Sequence, residues 1–256
     1  MVPPPLIIHP GFHRTGTTAI QHALEASRDV LSPWRIMLKQ DIPALCAAAR
    51  DYARRPTQAG LARFNPAAKA LAEDKPRPTV ISAEDLCGLI PGRRERQGYP
   101  AAPALLAALI DALPGYAPQI YLTTRAPEAW LKSCHAHHIR HTRLTVDLAT
   151  YDATQTGTDL DALARNIATQ LAPVPVTHVA LDSTTALPHG PLTPLLDLMN
   201  IPQAARDRMP PTLRPNAALP AHILDALLEL NQSDLSAETL ALRKRALIAD
   251  YRRNAL

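Results

Sequence analysis

Short apolar runs alternate along this chain with segments of helical periodicity, and this alternation limits the possible folds more than any other feature. The runs occupy residues 6–9, 34–39, 78–84, 118–125 and 174–181. The segments between them carry apolar residues every three or four positions, as helices packed on one side do. Alternating strands and helices predict an α/β fold, a three-layer sandwich with a mainly parallel central sheet and a ligand site at the carboxyl ends of its strands.

The C-terminal end departs from the alternation, because two helical patterns at residues 219–232 and 236–254 follow each other without a strand between them. We predict extra C-terminal helices there. Residues 143–158 show little periodicity, and we interpret them as a loop near the active site. No internal repeat or long low-complexity linker interrupts the chain, and 46% of its residues are apolar. Residues 1–256 are therefore predicted to form a single domain.

The first apolar run leads into a glycine-containing loop, within the sequence LIIHPGFHRTGTTAIQHAL at residues 6–24. Backbone N–H groups at a helix N-terminus lack partners, and glycines let those groups converge on an anion. Gly11 and Gly16 have the separation found in ATP-binding loops, but Thr17 occupies the lysine position and the cation lies upstream, at Arg14. The loop predicts an anion site, although the same residue types also suit a strand–turn–helix connection that binds nothing.

The segment GFHRTGTTAIQ resembles the 5′-phosphosulfate loop of sulfotransferases, in which a lysine or arginine and a serine or threonine precede Gly-Thr-Thr. This resemblance implies a P-loop-like fold and a co-substrate, the sulfuryl donor 3′-phosphoadenosine 5′-phosphosulfate (PAPS). It also implies that Arg14 stabilises charge on the leaving phosphate, although Arg14 replaces the commoner lysine. The residues implied to bind PAPS in this loop are His13, Arg14, Thr15, Gly16, Thr17 and Thr18.

A second segment, IYLTTRAPEAWLKSCHAHH, resembles the 3′-phosphate motif of the same family. Arg125 follows a predicted strand, and Ser133 lies eight residues further on, inside the next predicted helix. Arginine offers a planar pair of donors that suits phosphate, and serine adds a neutral donor. Further on, TLRPNAALPAHILDALLELN resembles the C-terminal R-x-N segment of bacterial members. Because the R-K-G-x-x-G signature of animal cytosolic members is absent, a phosphate role for Arg214 rests on this likeness alone.

Sulfuryl transfer needs a base near the acceptor. Glu84 follows the strand pattern PTVIS, and bacterial and heparan-type relatives use a glutamate after such a strand, whereas animal cytosolic members use a histidine. We interpret Glu84 as the base, with the alternative that Glu84 or Asp85 caps the next helix. The histidines of HAHHIRH, residues 135–141, are interpreted as lining an acceptor cleft or facing water. They have no obvious carboxylate partner, and we predict no metal site.

The composition of the chain narrows the classes of ligand and partner, and the cellular compartment, that we expect. A net charge of +4 suits an anionic ligand, but the chain has no basic run and no RNA-binding signature, so nucleic acid is not a predicted partner. Three widely spaced cysteines and the lack of a signal-peptide or membrane-span pattern favour a reducing cytoplasm. The acceptor is expected to be a small molecule or a carbohydrate, with the oligomeric state open.

Two alternatives to a sulfotransferase remain at this point. A P-loop small-molecule kinase would use the first loop for ATP, but Thr17 replaces its lysine and no clear magnesium aspartate follows a strand. A non-catalytic nucleotide-binding or scaffold protein would keep the fold and lack a working base.

Overall fold

A computed structural model describes residues 2–73, 75–92, 98–155, 157–211 and 219–254. Its centre is a five-stranded sheet in the order β2–β3–β1–β4–β5, with every neighbouring pair parallel. The strands are β1 (Pro5–His9), β2 (Arg35–Leu38), β3 (Thr79–Ser82), β4 (Ala117–Thr124) and β5 (Val176–Ala180). The predicted α/β fold with a parallel central sheet is confirmed, and β1, which precedes the first loop, is the middle strand.

Helices connect the strands and follow the last one. They are α1 (Thr17–Ala26), α2 (Pro43–Arg54), α3 (Gln58–Lys69), α4 (Ala102–Asp111), α5 (Pro127–His141), α6 (Leu148–Thr154), α7 (Leu160–Gln170), α8 (Thr193–Leu198), α9 (Gln203–Arg206), α10 (Ala221–Gln232) and α11 (Ala237–Asn254). Among the described residues, no helix is both long enough and apolar enough to cross a membrane.

The sheet is buried on both faces, which explains why its strands read as continuous apolar runs. In β1, Leu6 and Ile8 point to the face covered by α2, α3, α4, α5 and α7, while Ile7 points to the face covered by α1 and α8. All three side chains are fully buried. Burying a side chain of this size stabilises the fold by about 1.5–3 kcal/mol.

Two local predictions differ from the structure. Residues 143–158 contain α6, which the weak periodicity of a seven-residue helix did not reveal. That helix packs beside α5, and Tyr151 donates a hydrogen bond to the Pro91 carbonyl, so the prediction of a loop is wrong at these residues. The strand predicted to reach residue 84 ends at Ser82, because Glu84 begins a short 3-10 turn.

The two C-terminal helices pack against the end of α5. Ile139 shares an apolar cluster with Leu227 of α10 and Ile248 of α11. Lys244 of α11 is buried and donates hydrogen bonds of 2.6 and 2.7 Å to the carbonyls of Ile139 and Thr142. A cation at a helix C-terminus is favoured by the negative end of the helix dipole. The predicted extra C-terminal helices are confirmed. Their exposed residues add to the surface at the C-terminal end of α5.

Candidate active site

The first loop is held in a left-handed turn between β1 and α1. Gly11 has φ +58° and Gly16 has φ +91°, values that glycine adopts without steric cost. A β-carbon on Gly11 would lie 2.5 Å from the Thr17 hydroxyl, and one on Gly16 would lie 2.8 Å from Leu181 Cδ1. Arg14 has φ +68°, which is uncommon for a residue with a side chain. The loop is therefore tightly determined at both glycines and at the arginine between them.

No side chain caps the N-terminus of α1. Gly16 is the residue before the helix, and the Thr17 hydroxyl turns back to donate to the Phe12 carbonyl at 3.3 Å. Thr18 is exposed to solvent. The backbone N–H groups of the first turn and the Thr18 hydroxyl thus lie at the N-terminus of α1, where positive partial charge accumulates.

The two motifs found in the sequence meet at Arg14. Its Nε donates a 3.0 Å hydrogen bond to the Ser133 hydroxyl, and Arg125 Nη1 donates to the Arg14 carbonyl at 3.3 Å. Arg125 Nε is buried without a hydrogen-bond partner. Burial lowers the pKa of the Arg14 guanidinium, and the nearby charge of Arg125 lowers it further. Two guanidinium groups therefore face one space, and one of them has an unused buried donor.

Other contacts fix the loop rather than line the space. The Thr15 hydroxyl is fully buried, donates to the Phe12 carbonyl at 2.7 Å and contacts the Thr123 hydroxyl at 2.8 Å. Trp130 Nε1 donates to the His13 carbonyl at 2.9 Å, and the His13 ring stacks on Tyr99. These contacts tie the loop to β4 and α5.

Glu84 lies across the space from the arginines and is held by two donors. Lys39 Nζ is 2.9 Å from its Oε1, and Gln21 Nε2 donates to its Oε2 at 2.9 Å. Burial by itself would raise the pKa of this carboxyl, but the hydrogen bond and charge of Lys39, with the hydrogen bond from Gln21, outweigh it and lower the pKa to about 2. Asp85 turns away and pairs with Arg50 of α2 at 2.6 Å.

Most of the residues named from the sequence line one cavity of about 400 Å³. Thr15 does not line it, since its hydroxyl is used within the loop. Arg214 lies outside the described residues. The lining consists of His13, Arg14, Gly16, Thr17, Thr18, Ala19, Lys39, Glu84, Arg125, Ser133, His137 and Leu181.

The histidines of α5 divide between two environments. His135 and His138 are buried and bond to backbone carbonyls, at Val146 and Pro91 respectively. The rings of His137 and His141 lie side by side, with centroids 4.6 Å apart, and His137 lines the cavity. Burial, and then the positive charges around it, lowers the pKa of His137 to about 3. Only His137 and His141 therefore fit the interpretation that the histidines of residues 135–141 line an acceptor cleft.

Sequence reasoning missed three contributors to the cavity: Lys39, Gln21 and Leu181. Lys39 follows β2 directly, and the carboxyl ends of neighbouring parallel strands share one edge of the sheet. Its position at the end of a predicted strand was therefore a usable signal. Gln21 lies on the buried side of α1, one turn after the loop, and no sequence pattern distinguishes it from a packing residue.

Comparison with known proteins gives structural neighbours only. A sulfotransferase from Alicyclobacillus acidocaldarius is 15% identical, with a TM-score of 0.48 over 93% of this chain and 99% of that chain. The tunicamycin resistance protein of Deinococcus radiodurans is also 15% identical, with a TM-score of 0.39 over 82% of this chain and 99% of that chain. No family model matches the sequence, and no curated protein matches it.

Proposed function

We propose that this protein is a sulfotransferase that moves a sulfuryl group from PAPS to a hydroxyl or amine of a small-molecule or carbohydrate acceptor. The observation that carries the proposal is the 3.0 Å hydrogen bond between Arg14 and Ser133, which are 119 residues apart. It joins the segment that resembles a 5′-phosphosulfate loop to the segment that resembles a 3′-phosphate motif. Glu84 lies in the same cavity and supplies a candidate base.

The donors around the cavity fit a ligand with two separate anionic groups. The α1 N-terminus, with Thr17, Thr18 and Arg14, suits the 5′-phosphosulfate of PAPS. Arg125 and Ser133 suit the 3′-phosphate, and the buried unpaired Nε of Arg125 needs an acceptor of this kind.

The chain's own residues would bind PAPS, orient the acceptor and remove the acceptor's proton. PAPS would supply an activated sulfuryl group whose transfer leaves adenosine 3′,5′-bisphosphate. Arg14 would hold a fixed positive charge where the leaving phosphate gains negative charge, an interaction that is strengthened inside a partly closed cavity. Glu84 would accept the proton of the acceptor hydroxyl or amine, so that the acceptor atom attacks as its proton leaves.

Glu84 is the base that the family resemblance implies, and it lines the cavity together with His13 and His137. Its carboxylate stays ionised throughout the physiological pH range, since its pKa is about 2. His13 is tied by its backbone N–H to the Tyr99 hydroxyl at 2.8 Å, and its ring is stacked on Tyr99. A low pKa makes Glu84 a weak base in the free protein, so acceptor binding must loosen its contact with Lys39 for efficient proton transfer.

The test compares three nucleotides by isothermal titration calorimetry. Adenosine 3′,5′-bisphosphate is expected to bind at least tenfold more tightly than AMP, because a charge-assisted hydrogen bond contributes about 1.5–3 kcal/mol. ATP with magnesium is expected to bind more weakly than the bisphosphate. Equal affinity for the bisphosphate and AMP would contradict the assignment of the 3′-phosphate site.

Turnover separates an enzyme from a binding protein. Incubation with radiolabelled PAPS and pools of phenols, sugars and amines is expected to give labelled products. Tight bisphosphate binding without any transfer across these pools would favour a non-catalytic nucleotide-binding protein. Phosphoryl transfer from ATP would favour the kinase alternative.

A further inference from the structure

A second feature of the molecule carries an unusual amount of positive charge. A groove of about 900 Å³ runs between the C-terminal end of α5 and the length of α11. Its floor is apolar, and its lining includes five Lys or Arg residues and no aspartate or glutamate among the residues that the structure describes. We call it the basic groove, and it is lined by Arg140, His141, Thr142, Arg143, Ala237, Leu240, Ala241, Lys244, Arg245, Ile248, Ala249 and Arg252.

Two of the five cations have a structural purpose. Lys244 donates to the last carbonyls of α5. Arg143 donates to the carbonyl of Asn231 in the last turn of α10 and to the carbonyls of Ser233 and Leu235 just after it. Both therefore satisfy backbone acceptors at a helix end, where cations are favourable.

The other three cations have no such purpose. Within the described part of the chain, no hydrogen bond or ion pair involves the side chain of Arg140, Arg245 or Arg252. Arg140 is half-buried, and burial followed by the charges of Arg252 and Arg14 lowers its pKa. Like charges placed this close repel each other, and an anion between them would relieve the repulsion.

A cavity of about 330 Å³ lies between the groove and the active-site cavity. At one end it is lined by Arg14, Arg125 and Ser133, the residues proposed to bind the phosphates of PAPS, and at the other by Arg140 and His141. Ser133 and Arg140 are seven residues apart on α5, which corresponds to about 10 Å along the helix axis. A ligand in the groove would therefore lie next to the nucleotide site without filling it.

We propose that the basic groove is a binding site for an amphipathic anion, separate from the nucleotide site. A carboxylate, sulfate or phosphate on this ligand contacts Arg140 and Arg252, while Leu240 and Ile248 pack against its apolar body. Anion binding by the groove stands on its own contacts, and it depends neither on the proposed sulfotransferase function nor on the identity of the acceptor.

The test uses a matched pair of fluorescent probes and does not need the acceptor. 8-Anilino-1-naphthalenesulfonate has an apolar body with an anionic group, and N-phenyl-1-naphthylamine is the same body without that group. The double variant Arg140→Gln/Arg252→Gln is expected to bind the sulfonate about tenfold more weakly and to leave binding of the neutral probe unchanged. Arg243→Gln is the control for charge removal on the same helix, because Arg243 is exposed on α11 outside the groove lining; it removes one charge where the double variant removes two.

Three results would overturn the proposal. The first is equal sulfonate affinity in the wild type and the double variant, when both have the same thermal midpoint. The second is an equal loss of the neutral probe, which would mean that the arginines act through packing. The third is displacement of the sulfonate by adenosine 3′,5′-bisphosphate, which would place the probe in the nucleotide site. Failure of the bisphosphate to bind the wild type would instead contradict the proposed function and leave the groove result standing.

Discussion

Lys39 Nζ lies 2.9 Å from Glu84 Oε1, and the two residues come from the ends of neighbouring parallel strands. Leu38 of β2 is in register with Ser82 of β3, so the residues just beyond each strand emerge at the same edge of the sheet. The lysine side chain is half-exposed, whereas the glutamate is 19% exposed. This pair keeps a carboxylate charged inside the cavity, and it leads to the first two predictions.

Replacing the carboxylate is expected to remove turnover without removing the nucleotide. Glu84→Gln keeps the size and shape of the side chain, but it leaves one oxygen to accept from Lys39 or Gln21 and cannot take the acceptor's proton. Turnover is expected to fall by about 10²- to 10⁴-fold, with the bisphosphate dissociation constant unchanged. Asp85→Asn is the matched control, since Asp85 pairs with Arg50 away from the cavity. Near-normal turnover in Glu84→Gln, together with its loss in His13→Ala or His137→Ala, would assign the base to a histidine.

Removing the lysine is expected to change the pH dependence of turnover. In Lys39→Met the burial of Glu84 is no longer opposed by the lysine, so the pKa of the carboxyl rises from about 2. Because the base works only when ionised, the acid limb of kcat/KM is expected to move to higher pH by about one unit or more. Profiles extended down to about pH 2, where the wild-type carboxyl titrates, check this, with the exposed Lys69→Met as control. An unchanged acid limb would show that Lys39 does not tune the base.

The arginine after β4 is expected to determine selectivity for the 3′-phosphate. Arg125→Gln removes a charged donor whose Nε has no protein partner. The preference for adenosine 3′,5′-bisphosphate over AMP is expected to fall by about tenfold or more, mainly through weaker bisphosphate binding. Calorimetry of both nucleotides with the wild type, Arg125→Gln and the exposed control Arg63→Gln measures this ratio. A loss of both nucleotides in equal proportion would mean that Arg125 supports the loop instead.

Turnover is expected to persist after exhaustive treatment with EDTA. Arg14 and the N-terminus of α1 offer positive charge to the leaving phosphate without a metal ion. The measurement is the transfer rate from labelled PAPS before chelation, after chelation and after magnesium is added back. Activity that disappears with EDTA and returns with magnesium would favour the kinase alternative.

The glycine before α1 is expected to be irreplaceable on steric grounds. Gly16→Ala places a β-carbon at φ +91° and 2.8 Å from Leu181 Cδ1, so it adds a clash to backbone strain. The free energy of unfolding is expected to fall by about 2–4 kcal/mol. Gly157→Ala is the control, because Gly157 has φ +82° with no atom within 4 Å of an added β-carbon, and it isolates the backbone term. Urea unfolding of both variants gives the comparison, and equal losses would show that Leu181 simply moves aside.

Local features of this protein were predictable because they depend on contiguous residues. The apolar run at residues 6–9 corresponds to β1, which begins one residue earlier, at Pro5. The start of α5 at Pro127 was predictable because proline fits well in the first turn of a helix. The weakly periodic segment around α6 was not predictable, since a seven-residue helix is held by its packing on α5 rather than by its own pattern.

The residues of the candidate site likewise include some that the sequence predicted and others that only the tertiary structure brought together. The sequence by itself determined the parallel α/β architecture and nominated a loop, an arginine and a serine as anion ligands. It could not separate the histidines of α5, because their outcomes depend on which carbonyls, those of Val146 and Pro91, lie beside the helix. Only the tertiary structure brought Lys39 to Glu84 and Arg140 to Arg252, since strand order and helix packing decide which distant side chains become neighbours. Those contacts form when elements far apart in the sequence pack together and bury their apolar residues. A short stretch of sequence therefore cannot predict them.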